Sequence, residues 1–347
     1  MSAQMQSPAR VALPLGLALG RRPRIGFIGL GWIGRKRLEA LEPESFEVAA
    51  LVESDSTRLQ PVAAAYPDAI AATSVDDVLD VDLDGVVIAT PNGLHAEQAT
   101  ACLEGGFAVF CQKPLATSLV DVERVVAAAR DADRLLGIDF CYRHVSGMHE
   151  LRHRLQAGEI GEVIAVDLTF HNAYGPDKSW CQDRRLAGGG CLMDLGVHLL
   201  DLSLWLQGMP PTERVRSRLF AQGAPVQAGD AVEDLAFAEF IQANGAIVRL
   251  ACSWHAHIGQ GAIIQIAIAG TRGGAHWSNI DGSFYDFQLD LIHGTHRERL
   301  STTDASDDWG PRALRGWIEQ LSASNRFDPN ANHIIRSAAL IEEVYRA

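Results

Sequence analysis

Apolar and polar positions fall first into short, nearly unbroken apolar runs joined by helical patterns, and later into alternating runs joined by turn residues. Arg24 to Ile28 is an apolar run that breaks into Gly29-Leu30-Gly31-Trp32-Ile33-Gly34 and then a helical pattern. Glu47 to Val52 is the next strand and ends at an acid, Glu53. Asp84 to Thr90 reads as a strand buried on both faces, followed by Pro91-Asn92 and a helix ending at Gly105-Gly106. Phe107 to Cys111 is a further strand, Ser118 to Asp133 a helix capped by Thr117 or Ser118, and Leu135 to Phe140 closes the series. Roughly six such elements in about 125 residues predict a doubly wound, dinucleotide-binding Rossmann domain over 23–145.

The pattern changes after about residue 146. A helix (Met148 to Ala157), a strand (Val163 to Phe170) and a helix (Cys191 to Leu206) give way to strands without crossover helices. Asp234 to Ala243 and Ala246 to Trp254 flank Asn244-Gly245, which predicts a hairpin with a type I′ turn. Strands near 263–269, 273–278 and 284–289 continue it, so 146–331 is expected to be an α+β domain with an open-faced antiparallel sheet. Such a sheet leaves one face free for a second subunit. Pro311 to Ser324 and Asn332 to Arg346 read as closing helices, the last (332–347) packing back toward the first domain.

With 347 residues and 47% hydrophobic content the chain is long enough for two cored domains. A formal charge of −13 argues against a nucleic-acid groove or an anionic membrane as partner. Cys102, Cys111, Cys141, Cys181, Cys191 and Cys252 form no C-x-x-C pair, which suits reduced thiols and a cytoplasmic protein better than a disulfide framework or a zinc site. No stretch reads as long enough to span a bilayer. Val11 to Leu19 is faintly like a signal-peptide core, but it is short, contains Pro14, and has Arg21-Arg22 after it instead of before. Residues 1–22 are therefore expected to be a flexible or oligomer-contacting arm.

The glycine spacing has a chemical meaning. Gly29 makes the tight strand-to-helix turn, Gly31 lets backbone approach a pyrophosphate, and Gly34 lets the helix lie against the strand. Free amides at the helix N-terminus then meet the anion. Glu53, about twenty residues on, would accept a hydrogen bond from a ribose hydroxyl and repel a 2′-phosphate, favouring NAD over NADP. NADP remains open through Arg35, Lys36 or Arg58, any of which could fold back over the acid.

Two further clusters carry candidate chemistry. Cys111-Gln112-Lys113-Pro114 lies at the carboxyl end of a parallel strand, where open α/β sheets bind ligands; Lys113 reads there as a donor to a substrate oxygen or, equally, as a surface lysine. Gly188 to Asp201 is a glycine-rich entry into an apolar helix, with Asp194 and His198 four apart on one face and Asp201 a turn later. A carboxylate beside an imidazole orients the ring and raises its basicity, as abstraction of a hydroxyl proton requires. Taken alone, such a pair is more often structural or, less often, a metal site, which the lack of another ligand cluster disfavours.

Gly29 to Gly34, Ala89-Thr90-Pro91-Asn92-Gly93-Leu94-His95, Lys113-Pro114 and Gly189 to Asp201, in that order, resemble the glucose-fructose oxidoreductase / inositol dehydrogenase / MocA family. The resemblance implies a Rossmann domain joined to an open sheet, and NAD(P)-dependent redox chemistry on sugars, cyclitols or related polyols, as a homodimer or homotetramer. It implies Lys113, Asp194 and His198 as catalytic residues, with His198 the base and Asp194 fixing its ring or binding a neighbouring hydroxyl. It implies cofactor contacts from Gly29, Gly31, Trp32, Ile33, Gly34, Glu53, Thr90, Pro91, Asn92, His95, Gln112 and Lys113. The family usually has glutamate before Lys-Pro; Gln112 removes an anion that would keep the lysine charged.

Tyr142, Arg143, His171, Asn172, Tyr174, Lys178, Trp180, Asp183 and Arg184 are candidates for a polar, aromatic-lined sugar pocket, with Tyr174 and Trp180 foremost. Two alternatives stand beside the dehydrogenase: a glycosidase or lyase of the same fold that oxidises its substrate only transiently, and a non-catalytic NAD(H)-responsive regulator.

Overall fold

The computed structural model of the protein describes residues 21–227, 229–303 and 307–347, and the elements below are those of the described residues. The first are β1 (Arg24–Ile28), α1 (Trp32–Glu39), β2 (Glu47–Val52), α2 (Ser56–Ala65), β3 (Ile70–Ala72), β4 (Gly85–Ile88), α3 (Asn92–Glu104), β5 (Ala108–Cys111), α4 (Leu119–Asp131) and β6 (Leu136–Ile138). Their strands form a parallel sheet in the order β3-β2-β1-β4-β5-β6. Val86, Val87, Ile88, Val109 and Phe110 are essentially unexposed, as strands covered on both faces must be. Ser118 is the cap of α4, its side chain accepting from the Asp121 N–H at 3.2 Å, and Val122, Val125, Val126 and Ala129 form the buried stripe behind it. The order reverses between β1 and β4, which opens a crevice at their carboxyl ends.

Next come α5 (Met148–Gln156), β7 (Val163–Asn172), α6 (Arg184–Ala187) and α7 (Val197–Leu206). The strands β8 (Thr212–Ala221), β9 (Ala224–Val226), β10 (Leu235–Gln242), β11 (Ile247–Ser253), β12 (Ala262–Gly270), β13 (Gly274–Asn279), β14 (Phe287–His293) and β15 (His296–Thr302) follow, then α8 (Arg312–Ala323) and α9 (His333–Arg346). Their nine-stranded sheet runs β15-β14-β13-β12-β7-β11-β10-β8-β9. It is mixed, not purely antiparallel as expected: β7 sits centrally and pairs parallel with β11, because the chain leaves the sheet for α7 before building the later strands around β7. Val166, Leu168, Phe170, Val248, Leu250, Ile264 and Ile266 turn to the buried face, which α7 contacts through β7. The other face exposes Phe237 and Ile247.

The hairpin between β10 and β11 has the expected strands but a different turn. Gly245 N–H donates to the Gln242 carbonyl at 2.7 Å, and Gly245 alone of the turn residues has positive φ, 87°. This is a three-residue loop of Ala243, Asn244 and Gly245 with glycine in the left-handed position, and a type I′ turn would need positive φ at Asn244 as well.

Helix α8 departs from the expected domain division. Trp317 packs where a Cβ at Gly85 or Gly137 would come within 2.7 and 2.6 Å of its ring, and it stands 5.8 Å from the Phe110 ring. Hence α8 belongs to the core of the first sheet, although 146–331 was read as the second domain. Helix α9 lies against α4 as well as α7 and β8. Of the expected arm, 1–20 lies outside the described residues; Arg21 forks onto Asp84 (2.5 and 3.2 Å). The helical stretch Arg184–Leu206 is long and apolar enough to cross a bilayer by length and composition, contrary to expectation, and 89% of its apolar window is buried inside the protein.

Candidate active site

A cleft of about 1770 Å³ runs from the glycine turn of the first domain to α7 and the sheet of the second. At one end Gly29 has φ +88°, and a Cβ there would lie 2.7 Å from the Ala89 backbone. A Cβ on Gly34 would lie 2.0 Å from the Gly29 carbonyl oxygen, whereas one on Gly31 would meet nothing within 4 Å among the described residues. Two of the glycines are thus demanded by close backbone packing, and the third faces open cleft. Gly31 caps α1 with no side-chain acceptor and no acid in the first turn, so the helix N-terminus fits an anionic pyrophosphate. Trp32, Ile33, Thr90, Pro91, Asn92, Gln112 and Lys113 line the same cleft.

Glu53 lines it too, but its carboxylate is already held: Oε2 accepts from the Leu30 N–H at 2.9 Å and Oε1 from the Asp55 N–H at 3.1 Å. Arg35, Lys36 and Arg58 stand around the same end. His95 departs from expectation. It is fully buried, with ring nitrogens 2.8 Å from the carbonyls of Pro114 and Thr90, and it is not among the cleft-lining side chains. It therefore ties the Thr90 and Lys113-Pro114 segments together from behind instead of facing the cleft.

At the other end the side chains expected to do chemistry converge. Lys113 Nζ donates to the Asp194 backbone carbonyl at 2.7 Å and to its Oδ1 at 3.0 Å. Trp254 Nε1 donates to Asp194 Oδ2 at 3.2 Å. A wide π turn over Leu192–Gly196 precedes α7, a feature that often accompanies functional sites. The expected Asp194–His198 pairing is absent: Asp194 is committed to Lys113 and Trp254, and His198 Nδ1 has no partner among the described residues. Tyr142 packs its ring edge-on to the imidazole, 4.9 Å away. Burial, then the charges of Lys113 and Arg37, hold the His198 imidazole well below its usual pKa. His198 therefore stands neutral, the form that accepts a proton, with its basicity lowered by its surroundings. Asp201 is not part of this site; it is buried, receives a forked pair from Arg143 (2.5 and 2.7 Å) and a hydrogen bond from Ser337 (2.7 Å).

The glycine-rich entry to this helix is held from below. Glu233 Oε1 accepts from Gly190 N–H (2.9 Å), Leu192 N–H (3.1 Å) and the Tyr345 hydroxyl (2.9 Å). Cβ atoms on Gly189 and Gly190 would fall within 2.0 Å of Tyr345 and of the Glu233 carbonyl, which explains the glycines.

Of the proposed sugar-pocket side chains, Tyr142, Tyr174, Lys178 and Trp180 line the cleft, whereas Arg143, His171, Asn172, Asp183 and Arg184 do not. Arg143 is spent on Asp201, and His171 is 2.7 Å from Ser253 Oγ. Sequence reading missed Arg37, Asp139, Cys141, Cys181, Trp254, Phe284, Tyr285 and Trp309, all cleft-lining. Burial pushes the Cys141 thiol to about 12 and Cys181 to about 11, so both stand as neutral thiols. Trp254, at the end of the predicted hairpin strand, was the most accessible of these from sequence.

Residues 23–140 match an oxidoreductase family described as the NAD-binding Rossmann fold, and residues 148–276 match the GFO/IDH/MocA C-terminal domain. The chain is 33% identical over 196 residues to 1,5-anhydro-D-fructose reductase of Ensifer adhaerens, a match covering 55% of this chain and 59% of that protein, less than two thirds of its length. It is 28% identical over 269 residues to D-glucoside 3-dehydrogenase of Escherichia coli K12 (73% of this chain, 76% of the relative). A protein of Amycolatopsis mediterranei, provisionally named a UDP-kanosamine synthase oxidoreductase subunit, is 33% identical over 253 residues (67% and 69%). Levoglucosan dehydrogenase, solved with NADH, superposes with a TM-score of 0.78 over 94% of this chain and 96% of that one at 20% identity, a likeness of fold.

Proposed function

The chain belongs to the GFO/IDH/MocA oxidoreductase family, and from that premise we propose that it oxidises or reduces a hydroxyl-bearing carbon of a sugar, cyclitol or related polyol with NAD(P). The single observation that carries this reading is the Lys113–Asp194 contact beside a neutral His198, in a cleft continuous with the glycine turn.

Gly29, Gly31, Gly34 and the N-terminus of α1 would hold the pyrophosphate, and Thr90, Pro91, Asn92 and Lys113 the nicotinamide end. Bound cofactor supplies the hydride acceptor or donor. In the oxidative direction His198 takes the proton of the reacting hydroxyl, and Lys113 donates a hydrogen bond to the same oxygen. Asp194, held by Lys113 and Trp254, keeps the lysine in place and turns its remaining acceptor capacity to a neighbouring hydroxyl. The rings of Tyr174, Trp180 and Phe284 offer apolar faces to the C–H side of a sugar, which supports a polyhydroxylated ring as substrate.

Glu53 supports NAD as the preferred cofactor, while Arg35, Lys36 and Arg58 keep a 2′-phosphate within reach of positive charge. The exposed Phe237 and Ile247 on the free face of the second sheet support a homodimer or homotetramer formed through that face.

The test is incubation of the purified protein with NAD, and separately NADP, against a panel of sugars and cyclitols, following reduced nicotinamide by absorbance and product by mass. Reduced cofactor growing with one sugar supports the proposal. A changed sugar without reduced cofactor would replace it with redox-assisted cleavage, and bound cofactor with no reaction in either direction would replace it with a regulator.

A further inference from the structure

An amide stands where the family resemblance implies an acid, and an acid stands one strand away. Gln112 directly follows β5 and Asp139 directly follows β6; Cys111 and Ile138 pair in register, and the Asp139 N–H donates to the Cys111 carbonyl at 2.9 Å. The Gln112 side-chain amide donates to Asp139 Oδ2 at 2.5 Å, and Arg37 Nε donates to the same oxygen at 2.6 Å. Asp139 is 1% exposed, and its Oδ1 has no partner among the described residues. All three side chains line the cleft at its catalytic end.

The chemistry at this contact is restrictive. A carboxylate accepts and does not donate, so it needs a donor opposite, and the amide of Gln112 supplies one without adding charge. A glutamate at 112 would bring two carboxylates together at hydrogen-bond distance, where both cannot ionise. The cleft then holds two ion pairs side by side, Lys113 with Asp194 and Arg37 with Asp139. Cys111, Cys141 and His144 are the other ionisable groups facing Asp139, and Cys141, His198 and Asp308 face Arg37.

We propose that Asp139 is a positioning residue of this site: it carries the carboxylate charge that position 112 lacks, fixes Arg37 and the segment leading to Lys113, and requires an amide at 112. This rests on the reading of the cleft as a dinucleotide and sugar site. The amide at 112 and the carboxylate at 139 are matched halves of one contact.

Three variants test it: Gln112→Glu, Asp139→Asn and the double exchange. Each is followed by NADH binding, read as energy transfer from tryptophan to the nicotinamide, and by thermal melting, across about pH 5.5 to 8.5. Gln112→Glu is expected to lose at least about tenfold in NADH affinity at the alkaline end and to regain it on acidification, as the carboxyl pair takes up a shared proton; one pKa unit corresponds to that factor. Its melting temperature should fall increasingly below the parent's as pH rises, because a carboxyl with a raised folded pKa loses stability above its unfolded value. Asp139→Asn should also lose affinity, with no such pH course. The double exchange should return affinity to within about threefold of the parent and abolish the pH dependence. A Gln112→Glu protein that binds and melts like the parent at every pH overturns the proposal, as does a double exchange no better than its worse single variant. Should the parent itself bind no NADH, the cofactor reading fails, and the melting curves alone still decide the pairing.

Discussion

The ammonium of Lys113 touches Asp194 twice, at the backbone carbonyl (2.7 Å) and at carboxylate Oδ1 (3.0 Å), although the two residues lie 81 positions apart. The contact joins the end of a strand in the first domain to the π turn that enters α7 in the second. It sets the lysine beside His198 without any hydrogen bond between Asp194 and that ring. Asp194 thus acts on the lysine and not on the ring, while burial and the nearby cations Lys113 and Arg37 keep His198 unprotonated by lowering its affinity for a proton.

Gly31 and Gly34 should respond to the same change in opposite ways. Gly34→Ala drives a Cβ into the Gly29 carbonyl and is expected to destabilise the fold by about 1–3 kcal/mol or more. Gly31→Ala has open space, so its melting temperature should stay near the parent's while NADH affinity falls by roughly tenfold, as the added methyl occupies the approach to the helix N-terminus. Melting and NADH titration of the two variants check this, and equal losses of stability would refute it.

Acid should weaken the fold before the carboxylates titrate. Burial pushes His144 down to about 4, and His95 and His198 are also held below 6.5, chiefly by burial. An imidazole with a lowered folded pKa binds fewer protons folded than unfolded, so stability drops as pH falls from about 6.5 toward about 4. Glu233, raised by burial, has the opposite sign: its contribution is complete at low pH and declines as pH rises above the unfolded carboxyl value. Melting temperatures from about pH 7.5 to 4.5 should decline, and His144→Gln should flatten part of that decline. A decline unchanged in the variant would show that His144 is not its source.

Tyr345→Phe removes one of three donors to Glu233 Oε1 and leaves the Gly190 and Leu192 amides in place. A buried hydrogen bond to a carboxyl group contributes about 1–3 kcal/mol, so the melting temperature should fall by several degrees. An unchanged melting temperature would mean that the C-terminal helix does not brace the glycine-rich entry.

Trp254→Phe keeps an aromatic ring and deletes the donor to Asp194 Oδ2. The expected outcome is a fall of about tenfold in kcat/KM, the worth of one such hydrogen bond, with NADH affinity unchanged. Steady-state kinetics beside an NADH titration separate the two; a loss confined to NADH affinity would move Trp254 out of the substrate end.

The parallel sheet was legible because its strands are buried on both faces and its glycine turn has fixed spacing. Strands at sheet edges were not. β15, outermost at one end, reads His-Arg-Glu-Arg; near the other end β8, flanked only over its last residues by the three-residue β9, carries Glu213, Arg214, Arg216 and Arg218 with only Leu219 buried, and strands that meet water need no apolar alternation. Strand direction is likewise absent from alternation, so the parallel β7–β11 pair was hidden. Lys113, Asp194 and His198 were each singled out locally, but their assembly into one site came from the family resemblance, since no spacing rule links residues 81 apart. His95 was misplaced because its ring satisfies buried carbonyls, those of Thr90 and Pro114, that no local pattern announces.

The most direct test of the account is His198→Ala, assayed with the sugar and cofactor that support turnover in the parent protein. Removing a general base should lower kcat by about 10²–10⁴-fold while NADH affinity, set by the glycine turn at the far end of the cleft, stays within about twofold of the parent. Turnover equal to the parent's at unchanged NADH affinity would contradict the role of His198 and the mechanism built on it.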